Sequence, residues 1–292
     1  MNAIAAVRDK TLLKESTLYV NLEPCSHHGK TPPCSRLIIE KGIPEIVIGT
    51  EDPNELVAGK GIEALEAAGR NLTTGILREE CLHLNRRFFT FHREKRPYVI
   101  LKWAQTRDGF IDKKRDIAEQ GEINWITDEK TRTIVHKWRS EEPAILAGSE
   151  TVLRDNPRLT VRDWPGRNPV RIIVDRRNRV THNHNVMDDA APTLIMSRQN
   201  KKEKNLEWID LPTSGSLVPK ILNLLYQREL QSVIVEGGAF TLNEFIRSGL
   251  WDEARVFTGE IDFGEGVNAP ELDAEPSQEK NISGASLRIY YR

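Results

Sequence analysis

Two cysteines in a proline-rich segment are the residues of this sequence best suited to chemistry. Cys25 and Cys34 each follow proline within the run L-E-P-C-S-H-H-G-K-T-P-P-C, residues 22–34. Thiolates suit zinc, and a catalytic zinc keeps three protein ligands and one open position for water. The metal lowers the pKa of that water, so that it can attack near neutral pH. We predict Cys25 and Cys34 as metal ligands; the alternative is two buried structural cysteines in a turn.

The remaining zinc ligand is the open question of this segment. In zinc deaminases an upstream His-x-Glu supplies the third ligand and the general acid/base. The sequence begins at Met1 and has no His-x-Glu before Cys25. We therefore expect an incomplete zinc site and impaired deamination, because no group would shuttle protons to the leaving ammonia. His27 or His28 could replace the ligand, although such histidines more often contact substrate or solvent. Another alternative is a native start upstream.

Length and composition bound the class of protein. The 292 residues can form two domains, and 38% hydrophobic with 29% charged residues is an ordinary globular profile. A net charge of -1 gives no electrostatic footprint for nucleic acid, and no apolar run is long enough to span a membrane. Three cysteines cannot all pair, so disulfides are not expected. We expect a cytoplasmic enzyme that forms a homo-oligomer and acts on a small molecule.

Short apolar runs alternate with amphipathic ones, the pattern of an α/β fold. Strands are predicted at 17–22, 45–49, 98–103, 144–147, 170–175, 193–196, 232–236, 254–258 and 287–291. Helices are predicted at 35–41, 61–68, 128–139, 149–154, 217–227 and 241–248. Thr127 is the expected N-cap of the helix that follows it. Residues 262–283 are predicted as a surface loop, and the charged stretch Arg93–Pro97 separates domains 1–94 and 95–292.

The residues around the cysteines resemble a known family. Leu18 to Asn54, with LEPCSHHGKTPPC followed by EDPN, is similar to the bifunctional riboflavin-biosynthesis deaminase–reductases. The resemblance implies a cytidine-deaminase-like domain, here without its His-Ala-Glu element, followed by a dihydrofolate-reductase-like α/β domain. It also implies zinc and NADPH as cofactors. The implied reaction reduces the ribose of 5-amino-6-(5-phosphoribosylamino)uracil to a ribityl chain, after deamination of the diaminopyrimidine precursor.

The resemblance implies a substrate site in the second domain. Lys102 and Glu236 are the expected catalytic residues, and Arg139, Leu159, Arg162 and Glu236 the expected substrate contacts. Arginine forks bind phosphate through paired charged hydrogen bonds. Three of these residues also have a simpler explanation: Lys102 reaches solvent from a strand end, Arg139 satisfies a helix dipole, and Arg162 is solvated. Ile123 stands where the family has a serine that touches substrate.

The resemblance also implies a cofactor site. Gly237-Gly238 joins a strand to a helix, and such a turn lets helix N–H groups point at a phosphate. On spacing alone this signal is weak, since any tight turn could use two glycines. Trp125 could instead be a core residue, and Arg176 is a candidate contact for the 2′-phosphate. The implied cofactor contacts are Ala104, Trp125, Thr151, Asp155, Gly238, Ala239, Phe240, Thr241, Leu242, Asn243 and Glu244.

Two other functions are alternatives to this prediction. The first domain could be a non-catalytic module that supports the reductase or docks a separate deaminase. The chain could also deaminate bases in nucleic acid. The neutral charge balance, the absent glutamate and the large reductase-like half argue against the second alternative.

Overall fold

The computed structural model describes residues 2–27, 32–54, 58–115, 123–211 and 215–292. The chain divides into two compact units, Met1–Lys95 and Arg96–Arg292. His28, a candidate replacement for the missing zinc ligand, lies outside the described residues. Among the described residues, none of the helices combines the length and apolar character needed to cross a membrane.

The first unit is a small parallel sheet with helices packed on it. Its three strands run in the order β1-β2-β3, and Ile46 and Ile48 of β2 are fully buried. They pack with Ile38 and Leu65 from the second and third helices, so the unit has a core of its own. The elements are α1 (Asn2–Ala6), a 3₁₀ helix (Lys10–Glu15), β1 (Thr17–Val20), α2 (Cys34–Lys41), β2 (Glu45–Ile48), α3 (Lys60–Ala67), β3 (Asn71–Thr74), α4 (Arg78–Leu84) and α5 (Arg86–Arg93).

The second unit is built on a ten-stranded sheet. The strand order is β14-β15-β12-β4-β11-β6-β7-β8-β10-β9. Its elements begin with β4 (Tyr98–Gln105), β5 (Phe110–Asp112), α6 (Glu129–Glu141), β6 (Ala144–Gly148), α7 (Ser149–Asp155), β7 (Val170–Val174), a 3₁₀ helix (Asn185–Met187) and β8 (Thr193–Ser197). They continue with β9 (Lys201–Glu203), β10 (Leu206–Asp210), α8 (Leu217–Gln227), β11 (Ser232–Val235), α9 (Ala239–Ser248), β12 (Glu253–Thr258), β13 (Val267–Asn268), β14 (Gln278–Ile282) and β15 (Ala285–Tyr291).

The central strands of this sheet are parallel and are covered on both faces. One face packs against α8 and α9 through Ile221, Leu225 and Phe245. The other face packs with Val152 of α7 and with Met187. Burial on both faces explains why residues 98–101 and 233–235 are continuous apolar runs rather than alternating ones.

The sheet topology brings the N-terminal ends of helices α7 and α9 to the same edge of the sheet. Strand β11 lies between β4 and β6 and runs parallel to both, so the carboxyl ends of all three strands meet at one edge. Helix α7 begins directly after β6, and α9 begins just after β11. Ligands of open α/β sheets bind at such a point, where neighbouring strands connect in different directions.

The structure corrects several sequence-based expectations. The N-cap of α6 is Asp128 rather than Thr127, because the Asp128 carboxylate accepts the N–H of Thr131 at 2.9 Å. The predicted loop 262–283 contains the two strands β13 and β14. Strands β3, β5, β9 and β10 were not predicted; they have three to five residues each, too few to show a period.

Candidate active site

Three charged side chains from separate elements form the centre of the site. Glu236 follows β11 immediately, and Arg139 lies on α6. The Arg139 Nε donates to Glu236 Oε1 at 2.8 Å, and its Nη2 donates to Oε2 at 2.7 Å. The Lys102 Nζ lies 4.0 Å from Glu236 Oε2. The register explains this approach, since Val235 pairs with Leu101 and the next residues are Glu236 and Lys102.

The charges of this cluster are buried and paired. Only 6% of the Glu236 side chain is exposed, with 12% for Arg139 and 15% for Lys102. Burial opposes the charge of Glu236, but Arg139 and then Lys102 outweigh it and hold the Glu236 pKa at about 2. Burial lowers the pKa of Lys102, Glu236 opposes that change, and Arg139 adds to it. Lys102 therefore does not simply reach into solvent, and that explanation is wrong.

The loop after α7 closes over Arg139. The Arg139 Nη1 donates to the Thr160 carbonyl oxygen at 3.2 Å, and the Arg162 Nη1 donates to Thr160 Oγ1 at 3.3 Å. Leu159 has a positive φ of 52° and a buried side chain, so it anchors the loop in the core. Arg139 lies in the last turn of α6, where a cation is favoured by the helix dipole, but its guanidinium is also bound by Glu236 and the loop. The helix-dipole explanation therefore accounts for only part of its role. Arg162 is the more exposed arginine.

The Gly237-Gly238 turn packs directly against the end of β6. A Cβ on Gly237 would lie 2.5 Å from the Ala147 Cα and 2.7 Å from the Gly148 nitrogen. A Cβ on Gly148 would lie 2.6 Å from Thr241 Oγ1, and one on Gly238 would lie 3.2 Å from Thr151 Oγ1. The first turns of α7 and α9 therefore lie side by side. Neither helix has a side-chain hydrogen bond at its N-cap, so the first backbone N–H groups of both are left for water or a ligand.

The other expected cofactor contacts are distributed around this edge. Ile126 packs on Gly259, just after β12, which places the neighbouring Trp125 at the same edge of the sheet. Trp125 is 53% exposed and carries the Arg132 guanidinium over its ring at 4.2 Å, so the core-tryptophan explanation is wrong. Phe240 is 74% exposed, whereas Leu242 is buried in the core and can contribute only its backbone. Ala104, Ala239, Asn243 and Glu244 are neither fully buried nor fully exposed.

Asp155 is held by an arginine that the sequence did not indicate. The Arg115 Nη2 donates to Asp155 Oδ1 at 2.6 Å and also contacts Asp112. Asn124 donates to the other Asp112 oxygen at 3.0 Å. Burial raises the pKa of Asp155, and the hydrogen bond from Arg115 opposes that rise. Arg115 lies in a charged run of lysines and arginines, where nothing in the sequence separates it from its neighbours.

Cys25 and Cys34 of the first unit lie together, as their spacing suggests. The Cys34 N–H donates to Cys25 Sγ at 3.4 Å, and the Ser35 N–H donates to the Cys25 carbonyl oxygen at 3.1 Å. Burial and then Cys25 raise the pKa of the Cys34 thiol. Over the described part of the chain, no group of three or more His, Cys, Asp or Glu side chains could hold a metal ion. Two thiols are fewer than zinc requires, so these residues alone do not fit a catalytic zinc.

Glu23 supports the loop that carries Cys25. Its buried carboxylate accepts the N–H groups of Gly59, Gly61, Ile62 and Asp52 at 3.0, 2.8, 3.3 and 3.1 Å. It thereby satisfies the free N–H groups at the start of α3. Through the Asp52 N–H it also binds the EDPN segment, residues 51–54. In the sequence Glu23 is a single acidic residue beside a proline, so nothing in its local pattern indicated this role.

Comparison with known proteins defines the class. Residues 97–287 match the family model described as RibD C-terminal domain. Residues 1–50 match the cytidine and deoxycytidylate deaminase zinc-binding region. A deaminase-type zinc region followed by a dihydrofolate-reductase-like α/β domain defines a two-part deaminase–reductase, as the resemblance implied.

Individual relatives agree with this class. The riboflavin biosynthesis protein RibD of Aquifex aeolicus is 39% identical over 274 residues, which cover 91% of this chain and 75% of the relative. The RibD of Bacillus amyloliquefaciens is 41% identical over 272 residues, 90% of this chain and 72% of the relative. The chain belongs to the RibD family of riboflavin biosynthesis proteins.

A solved structure confirms the fold. The diaminohydroxyphosphoribosylaminopyrimidine deaminase/5-amino-6-(5-phosphoribosylamino)uracil reductase of Thermotoga maritima matches with a TM-score of 0.83 and 38% identity. The match covers 94% of this chain and 78% of that one. The RibD of Acinetobacter baumannii has the same TM-score at 26% identity, with 97% of this chain and 82% of that chain covered.

Proposed function

We propose that residues 95–292 form an NADPH-dependent reductase of riboflavin biosynthesis, which reduces the ribose of 5-amino-6-(5-phosphoribosylamino)uracil to a ribityl chain. One observation carries the proposal: the Lys102–Glu236–Arg139 cluster adjoins the Gly237-Gly238 turn, where two uncapped helices begin. A polar cluster suited to binding a sugar would thus lie beside a turn suited to binding phosphates. Membership of the RibD family supports the same reaction.

The residues present fit a dinucleotide phosphate cofactor. The glycines let the backbone approach an anion, and the first N–H groups of α7 and α9 can donate to a diphosphate. Residues 238–244, Thr151, Asp155, Ala104 and Trp125 would hold it, with Arg176 near the 2′-phosphate. The exposed ring of Trp125 offers an apolar surface for the cofactor. When bound, NADPH supplies the hydride for reduction of the sugar.

The charged cluster has two tasks in the proposed reaction. Glu236 stays ionised at neutral pH and can accept N–H or O–H groups of the aminopyrimidine and the sugar. Lys102, whose pKa burial lowers, can pass a proton to the sugar oxygen as the ring opens. Opening exposes the first sugar carbon as an imine. Arg162, the more exposed arginine, would neutralise the phosphate. Arg139 would line the site beside Glu236, and Leu159 would contribute its backbone.

For residues 1–94 we propose a zinc-deaminase-like domain in which Cys25 and Cys34 are two of the metal ligands. The matched zinc-binding region, residues 1–50, contains both. The described residues do not complete the ligand set, so they support no deamination step by themselves. We also propose that the chain is cytoplasmic and forms a homo-oligomer. Light scattering of the purified chain measures its oligomeric state.

The decisive experiment supplies 5-amino-6-(5-phosphoribosylamino)uracil to the purified full chain with NADPH. We expect substrate-dependent NADPH oxidation and a product heavier by two hydrogens in mass spectrometry. Lys102→Met removes the buried ammonium and should abolish turnover, whereas Lys130→Met, an exposed lysine on α6, should not. A folded, NADPH-saturated protein that oxidises no NADPH with this substrate would contradict the proposed function.

A further inference from the structure

A buried histidine lies beside the charged cluster, and the proposed reaction does not use it. His136 is 3% exposed and precedes Arg139 by one helical turn, so both side chains lie on one face of α6. Its Nδ1 accepts the backbone N–H of Arg162 at 3.0 Å. Its Nε2 lies 3.4 Å from Asp163 Oδ2. The histidine ring thus joins α6 to the loop that carries Arg162.

The surroundings of His136 keep its ring neutral. Four charged groups face it: Arg139 and Glu236 from the cluster, and Arg162 and Asp163 from the loop. Burial, followed by Arg139 and Arg162, lowers the pKa of His136 to about 4. Because Nδ1 accepts a hydrogen bond from Arg162, the single ring proton belongs on Nε2, on the side of Asp163.

The Arg162 side chain depends on this anchorage. Arg162 is exposed, and its own guanidinium contact is with Thr160 Oγ1, within the same loop. The loop is held by the buried Leu159 side chain, by the bond from Arg139 to the Thr160 carbonyl, by the bond from the Val161 N–H to Asn168 Oδ1, and by His136 at the Arg162 backbone. The hydrogen bond from the Arg162 N–H to His136 Nδ1 acts on the Arg162 main chain itself.

We infer that His136 is a positioning residue, which fixes the Arg162 backbone so that the Arg162 guanidinium is directed at the phosphate group of the sugar substrate. The inference rests on the proposed function for the identity of that substrate. The phosphate is the part of the substrate that Arg162 can bind, so the effect of His136 is confined to phosphorylated ligands.

Substitutions of His136 distinguish the role of its Nδ1 from the role of its Nε2. The Asn oxygen occupies nearly the place of Nδ1 and can still accept the Arg162 N–H, so His136→Asn should preserve function. His136→Gln places its amide near Nε2, and His136→Leu offers no acceptor. A histidine that only fills space would give a different order, because Leu would then be the mildest change. The exposed His182 supplies a matched control, His182→Leu.

The binding test uses ribose 5-phosphate as the probe and ribose as its unphosphorylated control, by calorimetry. We expect H136L and H136Q to weaken ribose 5-phosphate binding about tenfold and H136N by less than about threefold, the effect of one hydrogen bond. Binding of ribose and of NADPH should not change in any variant. In turnover, KM for the phosphorylated substrate should rise in H136L and H136Q while kcat stays within about twofold.

Several outcomes would overturn the inference: wild-type protein that does not bind ribose 5-phosphate, equal binding by all variants, an H136N that behaves as H136Q, or an equal loss of NADPH affinity. Should H136L not fold, the contrast between H136N and H136Q carries the test. A wild-type protein that binds ribose 5-phosphate in a His136-dependent way, but oxidises no NADPH, would contradict the reductase function and support the positioning role.

Discussion

Arg139 and Glu236, 97 residues apart in the chain, form a two-point ion pair at the carboxyl end of β11. Both hydrogen bonds of the arginine fork reach the same carboxylate, while Lys102 approaches from the neighbouring strand. Two positive groups therefore surround one buried negative group. This arrangement keeps Glu236 ionised, and it makes the cluster sensitive to the loss of that single charge.

The first prediction concerns that charge. Glu236→Gln leaves Lys102 and Arg139 buried without a counter-charge, so we expect the free energy of unfolding to fall by about 3 kcal/mol. We also expect NADPH oxidation to fall by at least about 100-fold. Urea denaturation and steady-state kinetics measure the two effects. The exposed Glu229→Gln is the control and should change neither quantity. A Glu236→Gln variant as stable and active as wild type would show that the pair is dispensable.

The second prediction concerns pH. The folded-state pKa of His136 is about 4, below the ordinary 6.5, so the unfolded chain takes up a proton that the folded chain does not. Its contribution to stability is complete above pH 6.5 and is lost as the pH falls towards about 4. The slope should reach at most about 1.4 kcal/mol per pH unit. His136→Asn, which cannot titrate, should show a flatter dependence in urea denaturation across this window. Identical slopes would contradict the assignment.

The third prediction concerns the glycine turn. Gly237→Ala would place a Cβ 2.5 Å from the Ala147 Cα, where backbone rather than a flexible side chain must move. We expect a loss of about 1–3 kcal/mol in stability and a weaker affinity for NADPH, since the first turns of α7 and α9 would separate. Gly264→Ala is the comparison, because Gly264 has a positive φ and no atom within 4 Å of its Cβ position. It should cost about 1 kcal/mol and leave NADPH binding unchanged.

The fourth prediction concerns Glu23. Glu23→Gln replaces a carboxylate that accepts four backbone N–H groups with an amide whose nitrogen cannot accept any. We expect the first unit to lose about 2 kcal/mol of stability. Hydrogen exchange at residues 59–62 should quicken, while exchange in β4 and β11 should not. Glu66→Gln, exposed on α3, is the control. Unchanged exchange at residues 59–62 would show that the carboxylate does not support this segment.

The sequence by itself determined the local features of this protein. Long apolar runs such as Tyr98–Trp103 and Leu217–Gln227 predicted their elements, because burial on both faces of a sheet or on one face of a helix leaves a pattern in the sequence. Neighbouring residues also indicated the strand-to-helix turn at Gly237-Gly238 and the proximity of Cys25 to Cys34. The family followed from short motifs of the same kind.

Only the tertiary structure decided which distant side chains meet. The contacts of Arg139 with Glu236, of His136 with Arg162 and of Arg115 with Asp155 join residues 26 to 97 positions apart. Each depends on strand register and helix placement, and none of the three can be inferred from the spacing of the residues involved. The short strands β9, β10 and β14 form by pairing with neighbouring strands, because their stability comes from the sheet and not from their own sequence.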